Sequence, residues 1–223
     1  MSNFPNSPRP LKAALILVDP GTGTPATPLV IALQYNPDSL SRSLQIKSVG
    51  EGGDHAEALR LKGPPVETIK LEAEIDAADQ LEHGSDAANR ATQQFGIFPQ
   101  LSALETLAYP TSAQLKANNA AADSGMLEIV PMEAPLALFV WSKSRVVPVR
   151  LTELSITEEA FDPALNPIRA RVSLGLRVLS VDDLGFRHKG GTGFMDYLAQ
   201  KEKFAGMFVQ GSLAASGDPR LPT

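Results

Sequence analysis

Ile168-Arg169-Ala170-Arg171-Val172-Ser173-Leu174-Gly175-Leu176-Arg177-Val178 alternates without a break: every second residue is apolar, and Arg, Ser or Gly lies between. A strand with one buried and one wet face produces this pattern, as antiparallel sheets do. Val66 to Asp76 repeats it. Ile69, Leu71, Ala73 and Ile75 follow Glu67 on one face, and Thr68, Lys70, Glu72, Glu74 and Asp76 occupy the other. Each stretch runs about eleven residues, against roughly five or six in an ordinary strand, and strands of that length suit a barrel or a strongly curved sheet.

Working outward, Leu11 to Val18 and Leu29 to Tyr35 read as the two arms of a hairpin around a Gly/Thr/Pro-rich loop. Arg42 to Val49 is a weaker strand. Pro135 to Ser142 and Val146 to Ile156 are strands too. In the second, the apolar phase runs Val147, Val149, Leu151 and then slips to Leu154 and Ile156, which is what a β-bulge does. Between the strands, 77–94 and 99–119 read as helical or irregular, with Leu101, Leu104 and Leu107 at helical spacing and an alanine-rich stretch from Ala113 to Ala122 beyond Pro110. A last helix over Gly193 to Val209 carries Phe194, Tyr197, Leu198, Phe204 and Phe208. The expected fold is mainly β: an antiparallel barrel or sandwich with flanking helices and a C-terminal helix. A Pro-rich arm covers 1–10, the β domain 11–181 with an irregular or helical insertion at 77–125, and a helical extension with a polar tail 182–223.

The chain of 223 residues is 43% hydrophobic, enough for a packed core, and its net charge of −5 argues against nucleic acid as a partner. No cysteine is present, which removes disulfides, thiol nucleophiles and zinc-finger or iron–sulfur ligation. His55, His83 and His188 are the only histidines, and no two sit at metal-ligand spacing. No apolar run approaches the roughly 18 residues a membrane span needs. The first ten residues lack the features of a signal peptide, so the expected location is the cytosol.

Gly21-Thr22-Gly23-Thr24 follows a strand, but Pro25 and Pro28 stand where a phosphate-binding helix would begin, and a hairpin loop is the better reading. His188 to Gly193 reads as a connector rather than an anion site. Glu72, Glu74 and Asp76 share their face with Lys70, as the wet side of a strand does, and Trp141 reads as core. No nucleophile–base set is visible, so no catalytic residue, metal ligand or cofactor is assigned. Arg169, Arg171 and Arg177 are the informative residues. Three cations on one strand repel unless they meet water or carboxylates. Either they pair with an acidic neighbour such as Glu72 and Glu74, or they line a water-filled lumen or a partner's surface.

Several pieces in order resemble one family. Leu33-Gln34-Tyr35-Asn36-Pro37 comes first, and Val66 to Ile75 next. Pro135 to Trp141 and Val147 to Thr157 follow, and then Phe161-Asp162-Pro163 runs into Pro167-Ile168-Arg169-Ala170-Arg171-Val172. Together, over roughly residues 11–181, they are similar to the tube-like domain of contractile injection system tube and hub proteins, relatives of phage tail tubes. The resemblance implies a non-enzymatic ring, of six copies, adapting a spike hub to an inner tube inside a phage tail-like particle. Its implied partners are itself, the inner tube protein, the spike or hub protein, and baseplate or sheath components, with no nucleic acid and no membrane insertion. The ring-packing strands would be those carrying Ile69, Leu71, Ile75, Val172, Leu174 and Leu176. The chain departs from the family after residue 181, where no compact LysM module follows. The alternative is a stand-alone ligand- or carbohydrate-binding β-sandwich, which clustered exposed aromatics would support; aromatic residues total only 6%.

Overall fold

The computed structural model describes residues 12–18, 30–33, 37–48, 60–82, 89–125 and 136–208. The arm, the 21–24 loop, His55, His83 and the tail beyond 208 lie outside them.

The two alternating stretches are the longest-paired neighbours in the sheet but one. β4 (Val66–Asp76) and β7 (Pro167–Val178) run antiparallel from Thr68↔Arg177 to Asp76↔Arg169. β7 pairs on its other side with β6 (Arg145–Phe161), so β6 and β7 form a hairpin longer than either neighbour. β1 (Ala14–Val18), β2 (Val30–Ala32), β3 (Leu40–Gln45) and β5 (Leu136–Ser142) complete one antiparallel sheet in the order β2-β1-β5-β6-β7-β4-β3. The expected slip in β6 is present, as a register shift between Leu151 and Glu153. A second irregularity follows at Glu158 to Phe161, and β6 runs five residues beyond the expected end at Ile156.

Side chains from both halves of the sheet enter a single core. Leu15, Phe139, Val147, Ile69, Leu71, Val172, Leu174 and Leu176 belong to one buried cluster, so the sheet curls on itself. It does not close: β2 and β3 are its edges and do not pair with each other among the described residues. A helix fills the gap. α3 (Phe98–Glu105) buries Leu101 and Leu104, and Pro99 and Ala103 share a cavity with Ile31 of β2 and Ile75 of β4. The short helices α1 (Ala78–Glu82) and α2 (Arg90–Phe95) precede it. α4 (Ser112–Asp123) follows, opened by a capping box of Thr111 and Gln114, and buries none of its residues.

After β7, Ser180 caps the short α5 (Val181–Leu184). The last helix, α6 (Lys189–Met207), begins four residues before the expected Gly193. Lys189 to Gly193 is therefore its first turn and not a connector. His188 is the reason: its Nδ1 accepts the Gly190 N–H at 3.1 Å, satisfying an orphan donor of the helix start. Gly191 lets that turn sit against the Gly185 carbonyl, where a β-carbon would collide. Phe194 and Tyr197 enter the core, Leu198 packs at its margin, and Phe204 and Phe208 remain exposed.

Candidate functional site: the charged sheet face and the β6–β7 hairpin

Arg169, Arg171 and Arg177 all project from the polar face of β7, and each meets a carboxylate. Arg169 Nε lies 2.8 Å from Asp76 and 3.6 Å from Glu74, across the β4 pairing. Arg171 reaches Glu159 of β6 at 3.3 Å, and Arg177 reaches Asp183 of α5 at 2.6 Å. Lys70 pairs with Glu153 at 3.3 Å across the intervening β7. Gly175 makes room there, since a β-carbon on it would lie 2.9 Å from Glu153 Cβ. The acidic partners thus include Glu74, as the sequence suggested. Asp76, Glu159 and Asp183 were missed; the last two lie on elements whose register no periodicity reveals. Burial alone would raise the Asp76 carboxyl, but the Ala78 N–H and Arg169 outweigh it and hold it below the usual carboxylate range. The six strand residues Ile69, Leu71, Ile75, Val172, Leu174 and Leu176 are buried in the chain's own core.

A second constellation escaped sequence reading. Glu67 stands on the apolar face of β4 and is 3% exposed. It accepts hydrogen bonds from Arg42 Nε at 2.8 Å, the Tyr197 hydroxyl at 2.9 Å and Lys201 Nζ at 2.8 Å. The Lys201 ammonium also lies 4.1 Å from the Tyr197 ring centroid. Burial would raise the Glu67 carboxyl; Lys201, then Tyr197 and Arg42, more than reverse this and lower it. Burial and the nearby Glu67 charge raise the Tyr197 hydroxyl. The cluster ties β3, β4 and α6 together. Arg42, Tyr197 and Lys201 continue into a cavity of about 400 Å³ with Trp141, Arg145 and Phe204. Trp141, expected in the core, is half-buried there, its ring 5.9 Å from that of Phe139.

The hairpin itself has two unusual ends. β5 covers β6 only from Arg145 to Val149, so Arg150 to Phe161 has no strand on that side among the described residues. The α3 end, Glu105 to Tyr109, approaches part of it across a cavity of about 520 Å³. At the far end, Asp162 Oδ1 accepts the N–H groups of Ala164 and Asn166, and its other oxygen accepts from the Asn166 amide. Those bonds, the Asn166 amide first, lower the Asp162 carboxyl. They build a turn that holds Leu165 at φ 66°, a left-handed conformation unusual for leucine, and 79% exposed.

At the near end a cavity of about 520 Å³ opens among Leu15, Leu107, Leu136, Leu151, Leu179 and Leu184. Arg150 and Arg177, direct cross-strand partners, also line it. Asp183 engages one nitrogen of Arg177; among the described residues the buried Arg177 Nε has no hydrogen-bond partner and Arg150 has no ion pair. Among those residues no three His, Asp or Glu side chains are placed to hold a metal, and no helix is long and apolar enough to cross a membrane.

No protein-family model and no curated protein matches the chain. Solved structures with some likeness include a chain from the tail of an empty gene transfer agent particle with C6 symmetry. It is 10% identical with a TM-score of 0.31, covering 78% of this chain and 95% of that one. A chain from the virion of a native gene transfer agent particle has 8% identity and a TM-score of 0.29, with the same coverage.

Proposed function

We propose that the chain is a structural, non-enzymatic component of a phage tail-like contractile injection particle, forming a ring of six copies that adapts the spike hub to the inner tube. The observation that carries the reading is the long β6–β7 hairpin with the outer edge of β6 unpartnered from Arg150 to Phe161. A bare edge of that length is a template for another strand and a liability in a lone subunit. Ring closure between copies would cover it, with β3, one of the two edges of the sheet, as its complement. The charged face of β4, β6 and β7 would then repeat around the axis, with Arg169, Arg171 and Arg177 facing the lumen or a partner. Their carboxylate partners let that face be wet without self-repulsion. The motifs that resemble injection-system tube and hub proteins give the reading its particular place. The insertion at 77–125, with the unpacked α4, would reach outward to baseplate or sheath components.

Electron microscopy of the purified protein, alone and within particles, tests the ring. Deleting the gene tests the adaptor role: particles should lack an extended tube and sheath although both subunits are still made. Normal-length, contractile particles from such a strain would refute it and favour the ligand-binding sandwich.

A further inference from the structure

The two ends of the β6–β7 hairpin are complementary to each other. One end is an apolar knob: Leu165 is the most exposed large hydrophobic side chain among the described residues, and Phe161 beside it is 49% exposed. Glu158, Glu159 and Asp162 adjoin them in the chain; Glu159 pairs with Arg171 and Asp162 holds the turn, which leaves the exposed Glu158. The other end is the leucine-lined cavity with Arg150, Arg177 and Asp183 at its wall; among the described residues Arg150 has no ion pair, and Arg177, paired to Asp183, keeps a buried Nε unmatched. The ends are separated by the strand from Arg150 to Phe161, roughly 35 Å of extended chain, so a turn cannot reach its own cavity.

We infer that the β6–β7 turn of one copy seats Leu165 in the leucine-lined cavity at the opposite end of the hairpin in a second copy. The turn arrives preformed, because Asp162 and Asn166 hold it through their own hydrogen bonds. Little order is lost on docking. The knob replaces water against Leu136, Leu151 and Leu184. Backbone carbonyls of the turn, or Glu158, supply the acceptors that Arg177 Nε and Arg150 lack. The contact is heterologous and polar in direction, so it joins copies end to end along the strands, stacking one ring on another. It rests on the reading that copies self-assemble, and adds the contact between layers.

Sedimentation of the full chain over a concentration series tests it, with Leu165→Asp and Arg150→Glu as variants. Both sites are exposed, and unchanged circular dichroism and melting show that the variants fold. Each alone should weaken association at least tenfold. Mixed, rings of one variant should join rings of the other in pairs and no further. The Arg150→Glu copy keeps an intact turn, the Leu165→Asp copy keeps an intact cavity, and only that one joint can form. Oligomers indifferent to both variants would overturn the contact and leave the ring standing. Loss of association in each variant without recovery on mixing would overturn it too. So would a wild-type chain that stays monomeric at its highest soluble concentration, with the ring then judged on microscopy of particles.

Discussion

Glu67 shows how one side chain can join three elements. A carboxylate on the apolar face of a strand is costly to bury unless fully matched, and Arg42, Tyr197 and Lys201 match it. Glu67→Gln leaves two cations facing a neutral amide and should cost about 2–3 kcal/mol in chemical denaturation, the partial exposure of both cations limiting the loss. The sign of the pH effect follows from the lowered carboxyl. Below the unfolded value of about 4.3 the unfolded chain takes up the proton first, so stability is complete above about pH 5 and drains away as pH falls through the folded value. Melting temperatures between pH 6 and pH 3 should fall, and fall less in Glu67→Gln. On β7 the two faces should respond oppositely. Leu174, 1% exposed, cannot accept a charge, and Leu174→Asp should unfold the domain, at a cost of several kcal/mol. Arg171→Ser removes only an exposed ion pair with Glu159, worth about 0.2–1 kcal/mol. Equal melting of the two would reverse the assignment of faces.

At the scale of elements, α6 is held by two devices. Its start depends on close approach to the α5 turn, where Gly191 meets the Gly185 backbone. Gly191→Ala gains helix propensity but forces the two backbones apart, and should destabilise by about 1–3 kcal/mol. Its middle is held by Phe194 and Tyr197 in the core and Lys201 on Glu67. The β6–β7 turn works differently, through local hydrogen bonds around a left-handed Leu165. Leu165→Gly should relieve the backbone and raise stability by about 1 kcal/mol, while removing the knob from the proposed contact. A variant more stable yet less associated would mark a residue kept for assembly. The strands and their bulge were legible because periodicity reports burial directly. The start of α6 was not, since two glycines and a histidine are poor helix formers, and only the His188 cap and the close packing make that turn worthwhile.

For the whole molecule, a curled but open sheet with a helix in its gap explains both the single core and the exposed edges. Edge and turn together set the expectation for assembly. Raising salt should weaken end-to-end association, which uses Arg150 and the acidic turn, more than lateral pairing, which uses main-chain hydrogen bonds. Light scattering in low and high salt separates them: rings persisting where stacks dissolve is the expected result.

The sequence by itself determined which faces are wet and which are buried, because strand alternation is a local consequence of chain geometry. It also determined the positions of the long strands, the slip near Leu151, and the absence of cysteine chemistry. Which carboxylate meets which arginine, the convergence of Arg42, Tyr197 and Lys201 on Glu67, the helix that fills the sheet's gap, and the cavity opposite Leu165 were decided only in three dimensions. Arg169 lies 93 positions from Asp76 and Tyr197 130 from Glu67, and local pattern carries no information across such distances; Arg177 and Asp183, only 6 apart, meet across the boundary between a strand and a helix. Only the curling of the sheet around a shared core brings the distant ones together.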